Sequence, residues 1–316
     1  MPGAQPKGQH FVHRASVEAF QDPTFATRRE PALWVYMPGK HPFRQRPERV
    51  AKRNYYYCYE RDGRRDFSVE TEMLQALEGY STPILEKLSS GNFALTDEER
   101  LNFAGYVALT FTRVPVFQER TDRLVALMQA KQLEAVIHTP GALEGFAREI
   151  GEDAEKLRAT MKSGSVIVEQ SSRGWSIKQM AEVMLGLQPI INGMQWMFAA
   201  APDGSDGFLT SDNPVCVFDH TPPFPGAVAF LSSPNSFFTF PLSSQICLIG
   251  AHKQVTSSAK FTEGEVREVN KGTISRCDQQ LYASFPSTKI QSLLDKFRLG
   301  KIPKRVKLIR GRVVEE

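Results

Sequence analysis

Hydrophobic and polar residues alternate with two different periods along this chain, and the change of period predicts where strands and helices lie. Residues 32–37 and 54–59 read ALWVYM and NYYYCY, two short aromatic and β-branched runs around a Pro- and Arg-rich loop. Such runs predict two strands of an N-terminal sheet. From Val69 to Leu88 apolar residues recur every three or four positions, which predicts an amphipathic helix.

A longer helical region follows this helix. Thr96 and Glu99 have the spacing of a capping box, and the helix that they open is predicted to run to about Ala130. Residues 101–117 are apolar around nearly every face, as in a helix at the centre of a bundle, and Pro115 is expected to kink it. Further helices are predicted at residues 141–162 and 176–186.

Strand-like sequence returns after Gly193. Short apolar runs broken by Gly, Pro, Asn and Ser predict strands and turns, followed by a helix at residues 263–282 and a short one at 292–297. We therefore predict an α+β protein, a helical bundle packed on a mostly antiparallel sheet formed by N-terminal and C-terminal strands. The expected organisation is one large domain, 1–316, comprising a strand and loop segment 1–66, a helical region 67–190, a strand-rich region with a late helix 191–286 and a basic tail 287–316.

Composition narrows the class of protein. Hydrophobic residues make up 41% and charged residues 23% of the 316 residues, which is typical of a folded globular chain. No apolar run approaches the roughly 18 residues of a membrane-spanning helix, and the N-terminus has no apolar signal segment. The four cysteines are scattered without a CxxC pair, as in buried thiols of a reducing compartment. We expect a soluble, cytoplasmic protein without membrane contact.

Basic residues cluster although the net charge is only +4. Residues 44–65 contain eight Arg and Lys residues interleaved with tyrosines, and residues 301–312 form a second basic block. These segments are candidate contacts for RNA or DNA, since cations bind phosphate and aromatic faces stack on bases. Two solvated segments, with the tyrosines in an ordinary β-strand, are the alternative.

Arg113 stands out because it is the only charged residue between Arg100 and Glu119, in what we predict to be the most buried helix. A buried guanidinium needs a carboxylate or an anionic ligand. The preceding helix offers Glu70 and Glu78, about 12 Å apart along the axis, too far to share one metal ion as a simple pair. An ion pair between one of them and Arg113 on neighbouring antiparallel helices either fixes helix register or marks a polar site.

Three further polar residues are candidates for the same site. His10 in HFVHRASVEAF is either a general base or metal ligand, or a structural hydrogen bonder, and His13 is a weaker candidate. In TSDNPV, Pro214 holds Asn213 extended next to Asp212. That turn either connects two strands or directs a carboxylate and an amide into a site at the end of the sheet.

Several segments occur in the order found in a known family: HFVHRASVEAF, ALWVYMPGK, VETEMLQALEGYSTPILEKL, TFTRVP, TSDNPV and FPLS. The chain thereby resembles the domain-of-unknown-function family 4238, which is found in bacteria and fungi. Where that family usually has proline this chain has His13. The resemblance implies a shared polar site without implying a reaction, and its signature positions fall on His10, Glu70, Glu78, Arg113, Asp212 and Asn213.

The motifs of common nucleotide-binding proteins, zincins, α/β-hydrolases and deaminases are absent from the sequence. Residue types favour a hydrolase acting on phosphodiesters, nuclease-like, in a bacterial defence or toxin setting. His10 would transfer a proton, carboxylates would hold water or a divalent cation such as Mg²⁺ or Mn²⁺, and Arg113 would stabilise phosphoryl charge. The alternatives are a non-catalytic nucleic-acid or protein-binding module with a structural Arg–Glu network, and a small-molecule enzyme for an anionic substrate. Metal ligands and oligomeric state stay open.

Overall fold

A computed structural model of the chain describes residues 8–26, 31–61, 64–163, 165–167, 173–219, 231–297, 306–309 and 312–315. The chain forms two compact units, one from residues 1–117 and 177–299, the other from residues 118–176 and 300–316. Two of the three boundaries between the units, after residues 117 and 176, fall inside helices. The single domain expected from the sequence therefore stays a prediction.

Five helices follow one another without an intervening strand at residues 75–163, and the other described helices lie among strands. The described helices are α1 (Arg14–Glu18), α2 (Pro23–Ala26), α3 (Gln75–Ser89), α4 (Asp97–Thr112), α5 (Pro115–His138), α6 (Ala142–Ile150), α7 (Ala154–Ser163), α8 (Arg173–Gly193), α9 (Glu263–Arg276) and α10 (Thr288–Phe297), with a 3-10 turn at Pro47–Arg49 and a π-helical turn at Val69–Leu74.

The strands are short and mostly antiparallel. They are β1 (Gly8–His10), β2 (Leu33–Tyr36), β3 (Phe43–Gln45), β4 (Lys52–Asn54), β5 (Tyr59–Arg61), β6 (Arg64–Asp66), β7 (Ser165–Ile167), β8 (Gln195–Ala200), β9 (Thr210–Ser211), β10 (Cys216–Phe218), β11 (Phe237–Pro241), β12 (Ile246–Ala251), β13 (Ser258–Lys260), β14 (Leu281–Ala283), β15 (Val306–Ile309) and β16 (Arg312–Glu315).

The first unit contains sheets of five strands, in the order β10-β11-β12-β8-β13, and of four strands, in the order β3-β2-β14-β9. It also contains the pairs β1–β4 and β5–β6. Every described pairing is antiparallel except that of β13 with β8. In the second unit β7, β15 and β16 form one sheet, and α5 packs Ala126 and Ala130 against Val313.

Strands from both ends of the chain share one sheet, as predicted. In the four-stranded sheet β2 pairs with β14, and Tyr36 lies opposite Leu281. Beneath them Leu209, Ile274 and Leu294 complete a buried apolar cluster. The α+β class is thus confirmed, and the chain closes its own sheet with residues about 250 positions apart.

The helix predicted at 69–88 is present, but its buried face differs from the predicted stripe. The π-helical turn at its start adds one residue to the turn and rotates the following face. The predicted stripe consists of Met73, Leu77, Tyr80, Ile84 and Leu88. Ile84 and Leu88 are buried as expected, but Tyr80 is 70% exposed, and Leu74 and Leu85 join the buried face. Glu78 lies at the same helical spacing as these buried leucines, so its carboxylate faces the interior.

Pro115 begins a new helix after a short break in the helical structure. The predicted continuous helix with a kink is wrong, because α4 stops at Thr112 and Pro115 is the first residue of α5. Proline disfavours helical geometry at the preceding residue and lacks the N–H that a helix interior needs, yet it fits the first helical position. Arg113 therefore lies in the break, as the C-cap of α4.

Two other predicted elements differ from the structure. Residues 55–57 form a turn with Tyr55 at φ +53°, so the strand expected at 54–59 is replaced by a turn between β4 and β5. Burial of Tyr56 and Tyr57 outweighs their strand propensity. The late helix ends at Arg276 instead of 282, and residues 281–283 join the sheet as β14.

Other expectations are confirmed. Thr96 and Glu99 form both hydrogen bonds of the capping box, and the four cysteines are buried thiols. In the part of the chain that the structure describes, no helix has the length and apolarity needed to cross a bilayer.

Gly207 and Gly204 allow a matched test of a tight backbone contact. Both have positive φ, but a Cβ on Gly207 would lie 2.1 Å from the Ser244 carbonyl oxygen, whereas one on Gly204 would meet nothing within 4 Å. We expect Gly204→Ala to cost about 1 kcal/mol of unfolding free energy from backbone strain alone, and Gly207→Ala to cost clearly more. Equal losses in chemical denaturation would contradict this packing.

Candidate functional site

Arg113 is the centre of a buried polar cluster. Its side chain is 1% exposed, and each of its three nitrogen atoms donates to a different protein group. Nη1 donates to Glu78 Oε1 at 2.5 Å, Nη2 to the carbonyl oxygen of His10 at 2.5 Å, and Nε to the Tyr57 hydroxyl at 3.1 Å. The guanidinium thus joins α4, α3, β1 and the 55–57 turn.

Local structure explains why Glu78 and Arg113 meet. Lys87 near the end of α3 binds Glu99 near the start of α4 at 2.9 Å, while Glu78 binds Arg113 at the other end of α4. Helices α3 and α4 are therefore antiparallel, as the sequence predicted. The predicted Glu–Arg113 ion pair is present, and Glu78 is the carboxylate that forms it.

The other oxygen of Glu78 faces His13. His13 Nε2 lies 3.7 Å from Glu78 Oε2, and His13 Nδ1 lies 3.1 Å from the Tyr106 hydroxyl. Burial lowers the pKa of His13, an effect that Arg113 and His10 reinforce and Glu78 opposes. His13 is thus held as a neutral ring between a carboxylate and a phenol.

His10 lies at the partly buried edge of the cluster. Its Nε2 is 3.2 Å from the carbonyl oxygen of Glu48, so in the neutral ring Nε2 carries the hydrogen and Nδ1 carries the lone pair. Burial lowers the pKa of His10, and the charges of Lys52 and Arg113 act in the same direction. His10 is consequently a neutral imidazole with an available acceptor nitrogen near pH 7.

The cluster also keeps its other titratable groups in fixed states. Burial by itself lowers the pKa of Arg113, but the interactions with Tyr57 and Glu78 outweigh it, so the pKa lies above its ordinary value. Burial raises the pKa of Tyr106 above its usual range, which keeps its hydroxyl protonated. Arg113 is therefore charged and Tyr106 neutral throughout the ordinary pH range.

Asp212 and Asn213 belong to a different network. The Asp212 carboxylate accepts backbone N–H bonds from Asp278, Gln279 and Gln280, at 2.9, 2.6 and 2.9 Å. The Asn213 amide donates to the Arg276 carbonyl at 2.9 Å. Both side chains therefore secure the end of α9 and the turn into β14, which corrects the expectation of one shared site.

The electrostatics of Asp212 reflect that enclosed position. Burial raises the pKa of Asp212 to about 7, and the charge of Asp278 adds to this, whereas the three amide donors act in the opposite direction. The side chain is 3% exposed, so it presents no surface to a substrate.

Of the six residues singled out in the sequence, the structure brings His10, Glu78 and Arg113 together. The side chain of Glu70 lies outside the described residues. The cluster contains three further residues that the sequence did not identify as strong candidates: His13, Tyr57 and Tyr106. Tyr106 could have been found from its spacing, since it lies two helical turns before Arg113 on the same face of α4.

The described residues of this cluster do not form a metal site. Among the residues that the structure describes, no three His, Cys, Asp or Glu side chains are placed to hold one ion. The Glu78 oxygens face Arg113 and His13, which leaves no open carboxylate face for Mg²⁺ or Mn²⁺.

The basic segment 44–65 lies in the same unit as the cluster. Its described cations are exposed, and these are Arg44, Arg46, Arg49, Lys52, Arg53, Arg64 and Arg65. Three of them lie over aromatic rings: Arg44 is 4.6 Å from the centre of the Phe25 ring, Arg65 is 4.4 Å from that of Tyr55, and Arg53 is 5.8 Å from that of Phe11. The second basic block, 301–312, falls largely outside the described residues; β15 and Arg312 are its described parts.

The fold and the cluster define an α+β protein with a buried arginine–carboxylate–histidine network that links its N-terminal strand to a pair of helices. The chain belongs to the family described as Protein of unknown function (DUF4238), whose model matches residues 8–286. No curated protein and no solved structure matches the chain.

The Glu78–Arg113 pair can be tested with a double-mutant cycle. Arg113→Met leaves the Glu78 carboxylate without its cation, and Glu78→Leu leaves a buried guanidinium without its anion. We expect each single change to lower the free energy of unfolding by about 3–5 kcal/mol, and the double variant to lose less than the sum of the two.

The partly exposed pair Lys87–Glu99 between the same two helices is the matched control. We expect the cycle of Lys87→Ala and Glu99→Gln to show a much smaller coupling energy, because solvent screens both side chains. Equal coupling energies in the two cycles would show that burial does not strengthen the Glu78–Arg113 pair.

The lowered pKa of His13 predicts a pH dependence. A folded pKa below the unfolded value of 6.5 means that stability is present above pH 6.5 and is lost as the pH falls through the folded pKa. The destabilisation caused by His13→Gln should therefore be largest at pH 7–8 and shrink towards pH 5. Urea unfolding of both proteins at several pH values measures it, and a destabilisation that grows on acidification would contradict the assignment.

Proposed function

We propose that this protein is a nuclease-like hydrolase of phosphodiesters in which His10 is the general base. The observation that carries the proposal is the state of His10: its hydrogen is directed to the Glu48 carbonyl, and its lowered pKa keeps Nδ1 available to accept a proton. A general base works best when it is neutral and basic near the working pH.

Lys52 supplies the charge that a phosphodiester needs. In the β1–β4 ladder His10 lies directly opposite Lys52, so both side chains project from the same face. Lys52 is exposed, and no ion pair holds it within the described residues. The exposed cations of segment 44–65 continue the basic surface and would hold the polynucleotide backbone.

The proposed reaction is a direct hydrolysis. Nδ1 of His10 takes a proton from a water molecule, and the oxygen of that water molecule forms a bond to phosphorus. The bond from phosphorus to the leaving oxygen breaks, and that oxygen takes a proton from solvent. The ammonium group of Lys52 offsets the negative charge on the phosphoryl oxygens.

Arg113 has a different role in this proposal from the one expected at first. Its guanidinium is enclosed and bonded to Glu78, Tyr57 and the His10 carbonyl, so it cannot reach a phosphoryl group. Arg113 and Glu78 are positioning residues, which hold the backbone of His10 in place.

The test is cleavage of labelled RNA and DNA, with EDTA or with added Mg²⁺ or Mn²⁺. We expect His10→Ala and His10→Gln to lower the rate by roughly 10²–10⁴-fold without loss of folding. Lys52→Ala should lower the rate in a salt-dependent way, and Lys40→Ala, an exposed lysine outside the basic segment, should leave it unchanged. No cleavage by the wild type, or unchanged cleavage by His10→Ala, contradicts the proposal.

A binding module without catalysis is the second candidate. The observation that favours it is that Arg113 and Asp212 are both fully engaged by the fold. This candidate predicts salt-dependent RNA or DNA binding that weakens in Lys52→Ala and Arg49→Ala, with no cleavage and no effect of His10→Gln. Binding that does not respond to salt, or no binding, would contradict it.

A further inference from the structure

A cleft separate from the Arg113 cluster lies between α9, the start of α10 and the loop 204–209. Its volume is about 260 Å³, and all of its lining residues belong to the first unit. The apolar side chains of Leu209, Val266, Ile274 and Leu293 line it. This volume is just below the roughly 300–1,000 Å³ of small-molecule sites, so it would suit a small ligand.

The loop wall of the cleft is rigidly held. The Asn270 amide donates to the Gly207 carbonyl and accepts from the Leu209 N–H, both at 2.9 Å. Gly207 could not carry a Cβ, because the Ser244 carbonyl lies too close. Both polar atoms of Asn270 are thus used to fix the loop, and the cleft is preformed.

The opposite wall is fixed by Tyr36. Its hydroxyl donates to the Phe285 carbonyl at 2.8 Å and accepts from the Ser287 N–H at 2.7 Å, just before α10 begins. Collapse of the cleft would break these bonds as well as those of Asn270. The apolar floor therefore stays open to a ligand.

Two of the three cations that line the cleft form no ion pair within the described residues. Arg267 and Lys289 line it, are exposed and form no ion pair within the described residues, whereas Lys271 binds Glu268 at 2.6 Å. The acidic lining residues are Asp206 and Glu263. The unpaired charges of the lining are therefore two cations, Arg267 and Lys289, and two carboxylates, so net charge alone selects no ligand, and an anion would bind where the two unpaired cations lie.

We propose that this cleft binds a small amphiphilic carboxylate, with its apolar body against Val266, Ile274 and Leu293 and its carboxylate at Arg267 and Lys289. The proposal does not depend on phosphodiester hydrolysis, because the cleft shares no lining residue with the His10 cluster.

The experiment compares four probes of similar size by ligand-observed NMR and calorimetry on the full chain. Benzoate and octanoate carry the proposed charge, benzylamine carries the opposite charge, and benzyl alcohol is neutral. We expect the two carboxylates to bind roughly fivefold or more tightly than benzylamine at low salt, with the difference shrinking as salt is added. Equal binding of benzylamine, or no binding of any probe, overturns the proposal.

Variants separate this cleft from non-specific binding. Arg267→Ala combined with Lys289→Ala should remove the preference for carboxylate, whereas Lys253→Ala, an exposed lysine away from the cleft, should not. Leu293→Trp should fill the floor and weaken all probes, with circular dichroism confirming the fold. Unchanged affinity in the double variant contradicts the carboxylate position.

The same carboxylate can come from a free acid or from the C-terminus of a peptide. Octanoate and N-acetyl-alanyl-leucine distinguish the two sources. Tighter binding of octanoate assigns a free acid, and tighter binding of the dipeptide assigns a chain terminus.

Discussion

The buried guanidinium of Arg113 constrains the elements that surround it. A charged side chain that is only 1% exposed must make its hydrogen bonds within the protein. The three partners of the guanidinium come from β1, the 55–57 turn and α3. The N-terminal segment, the turn and the helix pair must therefore all be in place together. Loss of any one of them would leave a charge without its partner.

This constraint also connects the fold to the proposed chemistry. Arg113 binds the His10 backbone, the Glu48 carbonyl fixes the His10 ring, and the β1–β4 ladder places Lys52 opposite it. The reactive group in the proposal is thus on the partly buried edge of the cluster, while the charges that hold it are inside. A carboxylate cleft at α9 and α10 would be a second site with its own ligand.

Much of the architecture could be predicted from the sequence because it rests on local signals. The capping box at Thr96, the shared sheet of N- and C-terminal strands and the Glu78–Arg113 pair all follow from periodicity or from the need to neutralise a buried charge. The π-helical turn at 69–74 and the turn at 55–57 could not be predicted, because tertiary packing of Leu74 and Tyr57 decides them.

The candidate site was predictable in part for the same reason. An isolated arginine in an apolar helix signals a buried partner, whereas the pairing of Asp212 with the amides of 278–280 depends on a turn that the chain forms only when β14 joins the sheet. His13 and Tyr106 are 93 positions apart in the sequence, and no local pattern predicts that they contact each other.

The most direct measurement of the central claim is hydrogen exchange in Arg113→Gln and in the wild type. The amide of Phe11, which donates to the Ala51 carbonyl at 2.8 Å, reports the N-terminal segment, and the amides of β8, β11 and β12 report the five-stranded sheet. If Arg113 anchors the segment, the variant loses protection at Phe11, while the amides of the five-stranded sheet keep most of their protection. Equal loss in both regions, or unchanged protection at Phe11, would contradict the account.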